Sequence, residues 1–175
     1  MYKRQHETQG KWTSYLAMNI KFPPLKSLFY ELDGYLNGKL NKINARTEAH
    51  ITVVTPIEFH RVLRDKLTIQ EIHQIATKLN IQQSKFKVVC LGKGESVVDS
   101  RAEQTYYLVV DAPNLLKIRK EIFRLFKSRG GNVSKFAPDL FYPHITIGYT
   151  NNDLYLESNG VIKGKNSCFR EVSFN

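Results

Sequence analysis

Leu16, Met18, Ile20 and Phe22 fall at every second position of WTSYLAMNIKF, the period of a strand with one buried face. Pro23-Pro24 closes that run. Leu25, Leu28, Phe29, Leu32, Leu36 and Leu40 then follow at helical spacing and predict an amphipathic helix, weakened by Gly34 and Gly38. AHITVVT reads as a second strand. Thr68 and Glu71 have the spacing of a capping box, and Ile69, Ile72, Ile75, Ala76 and Leu79 supply the apolar stripe of the helix behind it. KFKVVCL reads as a strand, GKGESVVDSRAEQ as a polar loop and TYYLVVD as another strand. Pro113 opens a long helix with Leu115, Ile118, Ile122, Leu125 and Phe126 on its buried side, and Gly130-Gly131 stops it. The loop NVSKFAPDLFYP leads into the strand HITIGYT, and NSCFREVSF closes the chain as a last strand.

Strand, helix and strand occur in the same order over residues 12–56 and again over 105–150, and each unit ends in His-Ile-Thr. The two units align within a two-residue loop difference. With no linker or low-complexity run, residues 1–175 are expected to form a single domain of two similar lobes, each presenting one His-Ile-Thr strand.

Charge narrows the choice of partner. Twenty-six Lys and Arg against sixteen Asp and Glu leave +10, with a pI near 9.6, and this surplus favours polyanions, RNA or DNA first. No apolar run is long enough to cross a membrane, and the basic start of the chain lacks the apolar core of a secretory leader. Cys90 and Cys168 are too few for a disulfide framework and are expected as reduced thiols, in a cytoplasmic or nuclear setting. His6, His60 and His73 are expected at the surface.

The chemistry lies in the repeated tripeptide. Alternation puts His50 and Thr52 on one face with Ile51 and Val53 opposite, and His144, Thr146 and Gly148 on one face with Ile145 and Ile147 opposite. The isoleucines serve a core, while an imidazole beside a hydroxyl suits a phosphate. Neutral imidazole takes a proton from water, imidazolium gives one to a leaving oxygen, and a threonine hydroxyl donates to a non-bridging oxygen. Two such sets about one phosphorus provide acid and base without a metal. A single His-x-Thr is ordinarily a satisfied surface or core pair; two copies at matching places in a repeat are not so easily dismissed. Two histidines without Asp, Glu or Cys at ligand spacing make an incomplete metal set, so neither metal nor other cofactor is expected.

Two His-x-Thr strands in a chain of this size, with FYPHITIG as the second, resemble the two-histidine (2H) phosphoesterase superfamily of cyclic phosphodiesterases and RNA 2′–5′ ligase-like proteins. EAHITVVTPIEF is similar to its Swiss-army-knife, RNA-repair-like branch. The resemblance implies a bilobal α+β fold, with antiparallel sheets, flanking helices and a central cleft. It also implies metal-independent chemistry on RNA ends or small nucleotides, commonly the opening of a 2′,3′-cyclic phosphate. Carried onto this chain, His50 would be the acid and His144 the base, with Thr52 and Thr146 holding the phosphate.

Strand alternation adds Arg46 and Glu48 beside His50, as contacts to phosphate and ribose, and Tyr142 beside His144, as a stacking surface for a base. Gly148 would leave room for substrate next to Thr146, and Tyr149 would face the core. Lys93 and Arg101 in the polar loop would flank the cleft. The expected protein is therefore a monomeric, membrane-independent phosphodiesterase of RNA or small nucleotides. The alternatives are a non-catalytic module that binds RNA ends and a ligase running the reaction backwards.

Overall fold

A computed structural model describes residues 14–21, 23–42 and 49–172. The secondary elements run β1 (Leu16–Ile20), α1 (Pro23–Tyr35), β2 (Ala49–Val54), α2 (Pro56–Arg61) and α3 (Ile69–Lys78). They continue as β3 (Lys87–Val98), β4 (Arg101–Asp111), α4 (Pro113–Ser128), β5 (His144–Tyr149), α5 (Leu156–Asn159) and β6 (Cys168–Arg170). The class is α+β, with two antiparallel sheets and several helices. β1 and β2 pair in one sheet, and the other has the order β5-β4-β3-β6. The β-α-β order read from the sequence occurs twice, as β1-α1-β2 and β4-α4-β5.

The chain divides into two compact units, and the division runs through β1 and β2. The sheet unit gathers the described parts of 19–51, 86–111 and 142–175. Its spine is the β3-β4 hairpin, paired antiparallel from Lys87–Asp111 to Val98–Arg101. The expected polar loop is therefore a correction: its two ends zip together as strand. Only Asp99 and Ser100 turn, both with positive φ (48° and 64°), the left-handed pair that matches the twist of a tight hairpin. Lys93 accordingly sits in mid-strand, paired with Glu95, and Arg101 opens β4, exposed.

α1 is shorter than its apolar spacing predicts, ending at Tyr35. Asn37 and Gly38 adopt positive φ (56° and 75°), which takes the chain out of the helix. Leu40 is nevertheless buried, and its N–H donates to the buried Asp33 carboxylate (3.0 Å). That bond, with help from Lys42 at 3.1 Å, holds the Asp33 carboxyl below its ordinary range against the opposing effect of burial.

Cys90 and Cys168 are bonded as a disulfide, not separate thiols, which corrects the expectation from their number. Gly92 pairs with Cys168 and Leu91 with Arg170, so this bond crosslinks the edge strand β6 to β3 beside their ladder. The pairing also removes the ground for expecting a reducing compartment. Among the described residues, no helix is long and apolar enough to cross a membrane.

The helical unit gathers the described parts of 1–18, 52–85 and 112–141. Capping boxes start two of its helices: Thr55 with Glu58 on α2, and Thr68 with Glu71 on α3. The first comes directly after β2, so the strand has no room to continue. Ile72 and Ala76 of α3 and Leu115, Ile118 and Ile122 of α4 are buried. Asn114 donates to the Leu79 carbonyl (3.2 Å) and the Ser84 hydroxyl (2.7 Å), joining the start of α4 to the end of α3. His60 and His73 are half-buried rather than on the surface: the Ser14 N–H donates to His60 Nε2, and His73 Nε2 lies 3.5 Å from the Tyr15 carbonyl. Burial, with Arg64 adding to it, lowers the His60 pKa.

At the centre of this unit lies Arg119, 2% exposed. Its Nη1 and Nη2 form a two-pronged ion pair with Glu58 (3.1 and 2.8 Å). Nη1 also donates to the Val53 carbonyl (2.7 Å) and Nε to the Pro138 carbonyl (3.0 Å). The Ala137 and Leu140 carbonyls accept from Nη2 at 3.4 Å. The rings of Phe136 and Phe141 lie 4.9 and 5.1 Å from the guanidinium carbon. One side chain thus ties the end of β2 to the segment that leads towards β5.

Candidate active site

The two His-Ile-Thr strands form as the alternation predicts, up to one point. In β2 burial alternates: Ile51 and Val53 are almost fully buried, whereas His50 and Thr52 between them are half-buried. Arg46 and Glu48 lie outside the described residues. In β5 His144 is half-buried, Ile145 is buried and Thr146 is 8% exposed.

The point of departure is a bulge in β5. His144, Ile145 and Thr146 face Val109, Leu108 and Tyr107 in turn, but Gly148 faces Tyr106, so Ile147 is an extra residue with no partner across the ladder. Opposed residues point to the same side of a sheet. His144 and Thr146 therefore share their side with Tyr107 and Val109, while Gly148 turns to the other side with Tyr106. This corrects the reading that Gly148 makes room beside Thr146. A Cβ at Gly148 would stand 3.1 Å from both Leu40 and Phe29, so its missing side chain admits the α1 segment. Tyr149, expected in the core, is half-buried, and its carbonyl accepts from the Asn41 N–H (2.9 Å).

His144 is oriented from behind. Its Nδ1 lies 2.8 Å from the Tyr142 carbonyl. A carbonyl only accepts, so Nδ1 carries the hydrogen, and in the neutral ring Nε2 keeps the lone pair. The Tyr107 ring packs edge-on against the imidazole, with centroids 5.7 Å apart. Tyr142 is half-buried, and its ring lies against Gly164, where a Cβ would come within 3.1 Å.

On the His144 side of the sheet lies a polar cluster that sequence patterns did not reveal. Asp153 Oδ1 accepts from the Thr105 hydroxyl (2.6 Å), the Lys163 ammonium (2.7 Å) and the Leu154 N–H (2.9 Å). Asp153 Oδ2 accepts from the Thr146 hydroxyl at 3.3 Å. Both members of the Asp153–Lys163 pair are buried, their side chains 5% and 3% exposed. The Lys163 ammonium also lies over the rings of Tyr107 (5.4 Å) and Tyr155 (5.3 Å). Gly92 and Gly94 border this cluster, where a Cβ would collide with Tyr107 and Val161 respectively. Burial raises the Tyr107 phenol pKa. Its hydroxyl is enclosed without a well-formed hydrogen bond, the Ser167 side chain being the polar group it faces.

A second carboxylate, Glu103, steadies the exit from β5. It accepts from the Thr150 hydroxyl (2.7 Å) and from the backbone and side chain of Asn151 (3.1 and 2.9 Å). Burial pushes its pKa up, but these hydrogen bonds outweigh burial and leave it lowered. Among the described residues, no three His, Cys, Asp or Glu side chains gather as a metal set.

Residues 14–155 match the family described as "Swiss Army Knife, 2H phosphoesterase domain". The span includes both His-Ile-Thr strands and most of the chain, and the protein belongs to this family of 2H phosphoesterases. No curated protein matches the chain. Asp153 falls inside the matched span, whereas Lys163, Cys168 and β6 lie beyond its end.

Proposed function

We propose that the protein is a phosphodiesterase that opens 2′,3′-cyclic phosphates or cleaves 2′–5′ linkages in RNA ends or small nucleotides. The supporting observation is the doubled His-Ile-Thr inside the span matched to the 2H phosphoesterase family. His144 is the base: its neutral ring, with Nδ1 donating to the Tyr142 carbonyl, offers the Nε2 lone pair to a water proton. The activated water attacks phosphorus, the bond to the leaving ribose oxygen breaks, and His50 gives that oxygen a proton. Thr52 and Thr146 donate to the non-bridging oxygens, where charge grows in the transition state. A water molecule, an acid and a base balance the reaction without a metal ion. Tyr142 offers a ring to a nucleobase, and Arg46 and Glu48 are carried as contacts to phosphate and ribose. The net charge of +10 favours RNA ends over neutral substrates.

The test is incubation in EDTA with 2′,3′-cyclic nucleotides and with 2′–5′ oligonucleotides, read by phosphorus NMR. Either single change, His50→Ala or His144→Ala, is expected to lower kcat by a factor on the order of 10² to 10⁴. The wild-type pH profile is expected to be bell-shaped, since one imidazole works neutral and the other protonated, as a coupled pair. Turnover left intact in the double variant would falsify the proposal. Salt-sensitive RNA binding without turnover, indifferent to both changes, would replace it with a module that binds RNA ends.

A further inference from the structure

Asp153 raises a problem for an anion-binding site. A buried carboxylate hydrogen-bonded to Thr146 sets a negative charge beside the hydroxyl assigned to the phosphate. It also takes up the hydrogen that this hydroxyl would offer. Two features of the cluster answer these difficulties. Lys163, 2.7 Å from Oδ1, makes the pair neutral overall. And four described donors to Asp153 divide unequally: Thr105, Leu154 and Lys163 bond Oδ1 at 2.6–2.9 Å, while Thr146 bonds Oδ2 at 3.3 Å. The Thr146 bond is the longest of these, so its hydroxyl turns away at the least cost while three donors stay on Oδ1.

We propose that Asp153 and Lys163 are a pair of positioning residues for Thr146. Asp153 holds the Thr146 hydroxyl in a set direction until a phosphate oxygen takes its hydrogen bond, and Lys163 cancels the charge that would otherwise repel the incoming phosphodiester. This rests on the reading of Thr146 as a phosphate-holding group. The lysine comes from a segment beyond the matched span and is held in place by the Tyr107 and Tyr155 rings. Charge sign gives the pair a signature that packing alone would not produce. Removing the lysine takes one positive charge from the site and weakens anion binding. Neutralising the aspartate takes one negative charge from it and strengthens binding.

The experiment compares Lys163→Met, Asp153→Asn, the double variant and Lys163→Arg. It measures the Kd of inorganic phosphate by NMR titration, and KM and kcat on a 2′,3′-cyclic nucleotide. For Lys163→Met, Kd and KM are expected to rise about tenfold or more, as an unscreened charge a few ångströms away dictates. For Asp153→Asn, Kd is expected to fall while kcat drops, because the amide can turn its nitrogen towards Thr146 and spoil the hydroxyl's direction. The double variant should return to within a few-fold of the wild-type Kd, and Lys163→Arg should stay near wild type. Asp153→Asn keeps the shape of the side chain, so it remains informative even where Lys163→Met folds poorly. Phosphate binding that follows the charge pattern in a protein without turnover supports this inference and refutes the phosphodiesterase reading. Turnover in the wild type with no dependence of Kd on either charge does the reverse. No phosphate binding at all overturns both.

Discussion

Arg119→Met removes the guanidinium at the centre of the helical unit while keeping a long apolar side chain to pack between Phe136 and Phe141. The loss is the polar network: a two-pronged pair with Glu58 and bonds to the carbonyls of Val53, Ala137, Pro138 and Leu140. Breaking one side of a buried ion pair typically costs about 3–5 kcal/mol. The Glu58 side chain is 23% exposed, so water reaches it and the ionic part falls at the lower end. The carbonyls add to it, since each buried acceptor left unmade costs about 1–3 kcal/mol and only Val53 and Pro138 have bonds of 3.0 Å or shorter. Together these give a loss of about 4 kcal/mol, the ionic and carbonyl terms overlapping in part. Urea denaturation would measure it as a lower midpoint at unchanged slope. A second variant, Arg119→Met with Glu58→Met, separates the contributions. If the ion pair alone mattered, removing both partners would restore nearly all of the stability; because the carbonyls remain unserved, about 1–2 kcal/mol of the loss should persist. A loss below about 1 kcal/mol in the single variant, or full recovery in the double, would refute this account of the network.

Reduction of Cys90–Cys168, or Cys90→Ser with Cys168→Ser, should destabilise the protein. A chain-entropy argument for a crosslink across 78 residues gives a loss on the order of 4 kcal/mol, and a thermal melt with and without reductant measures it. β6 amides should lose hydrogen-exchange protection first, since that edge strand is short and exposed. Glu71 is held down at a pKa of about 2, chiefly by the Arg129 hydrogen bond and then by the Thr68 backbone and hydroxyl. A depressed folded pKa favours the folded state at pH above the unfolded value of about 4.5. Glu71→Gln should therefore be less stable than wild type at neutral pH, with the gap closing as pH falls from about 4.5 to about 2. A gap that persists at pH 2 in parallel melts would show that the carboxylate's charge is not the cause.

What this sequence determined by itself is whatever repeats over a few residues. A two-residue period marks β1, β2 and β5 because successive side chains on a strand alternate between faces. A stripe at three- and four-residue spacing marks α3 and α4, and Thr68 with Glu71 marks a helix start because both halves of that cap are local. The two His-Ile-Thr copies were legible for the same reason, as was the family to which they belong. Tertiary structure decided what depends on residues far apart in the chain. Asp99-Ser100 lacks the glycine that announces a tight hairpin, so only the zipping of Lys87–Val98 against Arg101–Asp111 shows the turn. The bulge at Ile147 arises from register against β4, and it turns Gly148 away from Thr146. Asp153 with Thr105, Arg119 with Val53 and Cys90 with Cys168 lie 48, 66 and 78 positions apart. Side chains at such separations meet only because the backbone has already closed the intervening loops, and no local period encodes which two will face each other.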